Sequence, residues 1–188
     1  MPLIVYLHGG SGKGDDLTLI TGVDGFPQYL RDGKIAPEAY VIIPQVSSDY
    51  KGWGEMKDSV ISLISSVSAE YKINDEKISL TGHSMGGTGA WMLALAYADV
   101  FSAVAPLSGS VTLSDANIEK LKDMPVFAVV GSDDTIVDPQ SSKDFITELA
   151  KVNSNATIVE LDGADHFEVP SMTYLSSDFD LIEWLISQ

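Results

Sequence analysis

Short, near-continuously apolar runs alternate along this chain with longer segments whose apolar positions fall three or four residues apart. The runs at residues 3–7, 40–43, 78–81, 103–106, 126–130 and 157–161 have the length and composition of strands covered on both faces. Helical spacing puts Met56, Val60, Leu63, Val67 and Tyr71 on one apolar stripe, and Leu175, Phe179, Ile182 and Ile186 on another near the C-terminal end. Residues 88–97, rich in Ala, Leu and Met, read as a further helix. This alternation predicts an α/β fold, a three-layer α/β/α sandwich around a mostly parallel sheet of about six strands. No repeat, low-complexity tract or linker interrupts it, so residues 1–188 are expected to form a single domain.

Composition narrows the picture. With 188 residues, 45% of them hydrophobic, the chain can bury a substantial core without metals or disulfides, and it has no cysteine to supply either a disulfide or a thiolate ligand. The formal charge is −16, from 27 acidic against 11 basic residues, and Arg31 is the one arginine. Such a field repels polyanions, and without a basic cluster it excludes a nucleic-acid role and a substrate held by an arginine clamp. Residues 1–6 lack a basic leader segment, and no apolar run approaches the ~18 residues of a membrane span. No membrane partner is expected, and the expected location is cytoplasmic.

The candidate chemistry centres on Gly82-His83-Ser84-Met85-Gly86-Gly87, which lies between a predicted strand and a predicted helix. A serine in so sharp a strand-to-helix turn is forced into strained dihedrals, and glycines at 82, 86 and 87 remove side chains that would collide with neighbouring backbone. The hydroxyl of Ser84 then stands clear of the sheet. The Met85 amide at the positive end of the helix can donate to a developing oxyanion. A glycine-rich turn that only links two elements would need none of this context.

In open parallel sheets, chemistry collects in the loops beyond the carboxyl ends of the strands. The first such loop, His8-Gly9-Gly10-Ser11-Gly12-Lys13-Gly14, lacks the Gly-Lys-Ser/Thr ending of a phosphate cradle but suits the second half of an oxyanion hole, with an amide near Gly10. His8 is expected to brace that loop. Trp53, after the second strand, reads equally as a wall of the substrate pocket or as a packing anchor. After the fifth strand, Asp138 precedes Pro139 and a helical run, as an N-cap would, which leaves Asp133 and Asp134 as candidate acids. After the sixth strand comes His166. It is the candidate base by position, because His8 belongs to the first loop and His83 is expected to point away from the serine.

The order serine, acid, histidine is that of α/β-hydrolases. The chain resembles the esterase, dienelactone-hydrolase-like and peptidase-like branches of that superfamily in Leu7-His8-Gly9-Gly10, Ile43-Pro44-Gln45 with Trp53, residues 71–78, Gly82-His83-Ser84-Met85-Gly86-Gly87 with Gly89-Ala90-Trp91, Gly131-x-x-Asp134-x-x-Val137 and Gly163-x-x-His166. The resemblance implies that the acid is Asp134, the fourth residue of its motif. It also implies a minimal hydrolase fold without a cap domain, because the segment between residues 106 and 124 is too short to hold one. The first strand here resembles the third of that fold, so the 40–43 strand is expected at a sheet edge, which leaves open a homodimer.

The expected activity is cleavage of a small-molecule carboxylic ester through an acyl-enzyme on Ser84, with His166 as base, Asp134 orienting it, Gly10 and Met85 forming the oxyanion hole and Trp53 edging the substrate. No cofactor and no metal are expected. Short acyl groups are expected, because nothing is assigned to an extended acyl groove. A serine peptidase or acyltransferase of the same fold would use the same residues. A non-catalytic binding protein of this fold would be expected to have lost one of the three.

Overall fold

A computed structural model describes residues 1–23 and 25–188. Among these, one all-parallel sheet is built from β1 (Leu3–Leu7), β2 (Tyr40–Ile42), β3 (Ile78–His83), β4 (Ala103–Leu107), β5 (Val126–Gly131) and β6 (Ala156–Leu161). The strand order is β2-β1-β3-β4-β5-β6, so β3, which leads into Ser84, lies in the interior of the sheet and β2 forms one edge as expected. Helices α1 (Phe26–Arg31), α2 (Trp53–Tyr71), α3 (Met85–Ala96), α4 (Asp115–Leu121), α5 (Gln140–Leu149), α6 (Val169–Tyr174) and α7 (Leu181–Ser187) complete the three layers. None is long and apolar enough to cross a membrane.

The pleat of β1 shows why strands buried on both faces read as unbroken apolar runs. Leu3, Val5 and Leu7 enter one core with residues of α2, α3, α4 and α5, while Ile4 and Tyr6 enter the other with residues of α1, α6 and α7. The edge strands depart from this. In β6 only the two end residues are buried, and β2 has no fully buried residue, because no strand among the described residues lies beyond their outer sides.

Two predicted stripes shift. In α2 the buried residues are Trp53, Val60 and Ile64, with Met56 partly buried, whereas Leu63 and Tyr71 face solvent. The stripe keeps Met56 and Val60 from the predicted set but continues through Ile64 in place of Leu63. Of the helix predicted over Leu175 to Ile186 only the second half forms, as α7, and Leu175 lies exposed beyond the end of α6. Asp180 restarts the chain as α7 by accepting the Glu183 amide at 2.9 Å, an N-cap that competes successfully with a continuous helix.

Candidate active site

The turn that carries Ser84 follows β3 directly and opens α3. Ser84 has φ 60° and ψ −120°, a combination side chains other than glycine's rarely adopt, so the backbone is strained at this residue. Two hydrogen bonds hold it there. Its amide donates to Leu107 O at the end of β4 (3.0 Å), and its carbonyl accepts from Thr88 N in the first turn of α3 (2.9 Å). The glycines that follow are required by close approach: a Cβ on Gly86 would lie 1.8 Å from Leu7 O, and one on Gly87 would lie 2.1 Å from Leu107 O. Elbow and neighbouring strand ends are in direct backbone contact.

The loops after β5 and β6 deliver the other two predicted residues to the same point. His166 is 4% exposed and Asp134 is 7% exposed. His166 Nδ1 lies 2.7 Å from Asp134 Oδ2, and its Nε2 lies 2.8 Å from Ser84 Oγ. With the Nδ1 proton donated to the carboxylate, Nε2 is left to accept from the serine hydroxyl. The other carboxylate oxygen, Oδ1, accepts the amides of Ile136 and Val137, each at 2.9 Å. Burial works to raise the Asp134 pKa. The Val137 amide, the His166 ring, the Ile136 amide and the Ser108 hydroxyl together outweigh it and lower the pKa, so the carboxyl stays ionised. Asp138, by contrast, takes the Gln140 amide at 2.9 Å and caps α5, as its place before Pro139 implied.

His83 corrects an expectation. Rather than pointing away, it donates from Nε2 to the backbone carbonyl of His166 at 2.9 Å, with the two rings 4.7 Å apart. It therefore ties the loop of the candidate base to the elbow. Burial and then the neighbouring His166 lower its pKa to about 4, against opposition from its bond to the His166 carbonyl and from Asp134. The sign of the linkage follows from this. Between an ordinary histidine pKa of about 6.5 and about 4, the unfolded chain binds a proton that the folded chain refuses, so stability falls as pH drops through that window. A loss on the order of 3 kcal/mol is expected from this group, and His83→Gln, which still donates to the carbonyl but does not titrate, should flatten that part of the slope. Denaturant midpoints of both proteins between pH 4 and 7 check this, and equal slopes would refute it.

Ser108 was not singled out in the sequence. It follows β4 with a left-handed φ of 44°, and its amide donates to Val129 O in β5 at 2.9 Å. Its buried hydroxyl makes no hydrogen bond of regular geometry, yet it faces Asp134 closely enough to contribute to lowering that carboxyl's pKa. A non-glycine residue at positive φ leaves no mark in a single sequence, which is why composition and spacing missed it.

Gly10 and Met85 are the first residues of a 3-10 turn (Gly10–Gly12) and of α3, positions whose N–H groups have no acceptor within their own helix. Around Ser84 lies a cavity of about 480 Å³. Gly9, Gly10, His83 and His166 border it on the polar side, and Ile20, Val23, Pro27, Ile136, Phe167 and Pro170 supply apolar walls. Most of one wall comes from the segment between β1 and β2, which contains a 3-10 helix (Leu17–Thr21) and α1 and to which the sequence assigned no purpose. Side chains of the second loop pin this wall. Gln45 Nε2 donates to Gly12 O (2.9 Å) and Asp16 O (2.8 Å), and Asp15 accepts from the hydroxyls of Ser47 and Ser48.

Trp53 is not part of the cavity, which corrects its assignment as a substrate-binding residue. It is 1% exposed, packs on Gly89, lies 4.9 Å ring to ring from His8 and donates its indole N–H to His8 O at 3.0 Å. An indole with both faces packed and its N–H satisfied has nothing left to offer a ligand. His8 does brace the first loop: its Nε2 accepts the Val46 amide at 3.0 Å, which leaves the ring proton on Nδ1, 2.6 Å from Gly9 O.

The Esterase family model matches residues 1–169. The chain belongs to the Esterase family. Among solved structures, this family member is similar to a thermostable esterase at 26% identity and a TM-score of 0.83, with 100% of the chain aligned to 54% of that protein. It therefore spans about half the length of that relative. It is also similar in fold to an acetyl xylan esterase from Aspergillus awamori (18% identity, TM-score 0.69, 98% of the chain and 88% of the relative). A variant of Arabidopsis thaliana SOBER1 shows the same likeness of fold (18%, TM-score 0.68, 98% and 97%). No curated protein sequence matches it. The six-stranded parallel sheet, with its helices on both faces, is the α/β-hydrolase fold these esterases share.

Proposed function

We propose that this protein hydrolyses carboxylic esters through an acyl-enzyme on Ser84 and prefers short acyl groups. The observation that carries the reading is the hydrogen-bonded chain from Ser84 through His166 to Asp134, mounted on a strained turn and opening on an apolar cavity. His166 Nε2 takes the hydroxyl proton as Ser84 Oγ bonds to the ester carbonyl carbon. The resulting oxyanion is met by the N–H groups of Gly10 and Met85. As the tetrahedral intermediate collapses, the bond to the alcohol oxygen breaks and His166 returns the proton to it. A water then repeats the sequence, with His166 accepting its proton, and releases the acid. Asp134 holds the ring in the required tautomer and stabilises the imidazolium throughout.

The preference for short chains follows from a cavity of fixed size. Tyr6 lies among its lining residues and the wall of Ile20, Val23, Gly25 and Pro27 stands on one side, so methylenes beyond the cavity remain in water and forgo about 0.8 kcal/mol each. The test is a panel of p-nitrophenyl esters of increasing acyl length beside aminoacyl p-nitroanilides. Turnover that peaks at acetyl to butyryl esters, with no anilide cleavage, is expected. Anilide cleavage would favour a peptidase, a peak at decanoyl or longer would refute the short-acyl reading, and inert esters with no fluorophosphonate labelling would refute the hydrolase.

A further inference from the structure

Tyr6 is a buried tyrosine on β1, 4% exposed, whose ring stacks on Phe26 (centroids 5.1 Å apart, planes 13° apart) and meets Tyr174 edge-on at 6.2 Å. A phenylalanine would make each of those contacts. The hydroxyl needs a separate explanation: it is not sealed in the core but reaches the cavity, where a donor is left for an incoming acceptor. Its neighbour Tyr174 shows the ordinary solution: its hydroxyl pairs with Thr81 Oγ1 at 2.7 Å, and Thr81 passes the hydrogen bond on to Ala105 O at 2.7 Å. Tyr6 has no such partner among the described residues. Its ring lines the cavity over Ser84, and its oxygen lies 3.5 Å from where a Cβ on Gly25, another lining residue, would stand.

We infer that the Tyr6 hydroxyl is a specificity determinant, donating a hydrogen bond to a neutral oxygen at the far end of an otherwise apolar acyl or alcohol group of the ester. This rests on the hydrolase reading of the same site. The chemistry of the lining selects that class. Ile20, Val23, Pro27 and Pro170 accept hydrocarbon, and among the described residues no lysine, arginine, aspartate or glutamate lines the cavity to hold a charged terminus. Burial raises the Tyr6 pKa, so the group stays a neutral donor throughout the working pH range. A site that offers one hydrogen bond in an apolar pocket discriminates against the isostere that leaves that bond unmade.

The test uses two isosteric ester series: methyl esters from 3-methoxypropanoate to 6-methoxyhexanoate, and methoxyalkyl acetates. Each member is paired with the ester in which a methylene replaces the ether oxygen. Binding is read by ligand-observed NMR titration on Ser84→Ala, which holds the esters uncleaved, so the result does not depend on turnover. At one chain length the ether should bind about fivefold or more tightly than its methylene partner, and Tyr6→Phe in the same background should bring the ratio to about one. Equal binding at every length, no binding by any member, or a ratio that survives Tyr6→Phe would overturn the proposal. Turnover of p-nitrophenyl acetate by the wild-type protein reports separately on the hydrolase reading.

Discussion

Ser84→Ala is expected to lower kcat by about 10³-fold or more, because on the proposed mechanism it removes the hydroxyl that bonds to the carbonyl while leaving the rest of the site standing. The side chain points away from the packed backbone of the elbow, and the bonds that hold the turn, to Leu107 O and from Thr88 N, are made by main-chain atoms that alanine also carries. Folding should therefore survive, and alanine must tolerate the same positive φ that serine does. The remaining rate would come from amides that meet the oxyanion and from binding alone. Steady-state kinetics with p-nitrophenyl acetate and labelling by a fluorophosphonate measure the effect. Labelling that persists in the variant would assign the nucleophile elsewhere.

Asp134→Asn is expected to lower kcat by about 10³- to 10⁴-fold, as for triad acids in general. The side chain would keep its size, and its carbonyl oxygen could still accept the amides of Ile136 and Val137 now bound to Oδ1. The NH₂ group would then occupy the place of Oδ2, 2.7 Å from His166 Nδ1, and two donors would face each other. The ring relieves this by moving its proton to Nε2, where it can no longer accept from Ser84. Asp138→Asn is the internal control. It caps α5 through one amide, a task asparagine performs equally well, so most activity should remain. If Asp138→Asn proves the inactive variant, the acid has been assigned to the wrong carboxylate.

The two carboxylates also show how far a sequence can be read. Asp138 was legible by local chemistry, since an aspartate before Pro139 and a helical run is a cap wherever it occurs. Asp133 and Asp134 were not separable by such reasoning, because adjacent residues in a loop differ only in the direction their side chains take. The shared Gly-x-x-Asp motif chose Asp134, and the geometry turns that residue to His166 while Ser132 donates to Asp133 at 3.0 Å. Trp53 failed for a related reason. Its neighbours, His8 and Gly89, lie far from it in sequence, so nothing local tells a buried indole from one that faces a ligand. The late start of α7 was missed because apolar spacing outweighed the capping aspartate at 180.

By itself the sequence determined the strands, their parallel alternation with helices and the elbow at Ser84, because each depends on periodicity or on glycines within a few residues of one another. It also marked His166 as the candidate base, since the other two histidines lie in the first loop and in the elbow. Tertiary structure alone decided what surrounds them. It turned His83 onto the carbonyl of His166, brought Ser108 against Asp134, placed Ile20, Val23, Gly25 and Pro27 in a cavity wall and left the Tyr6 hydroxyl on that cavity without a partner among the described residues. Each of these joins strands or loops through contacts between residues distant in sequence. Such contacts are set by how the sheet twists and its loops converge, which the order of residues in any one segment does not encode.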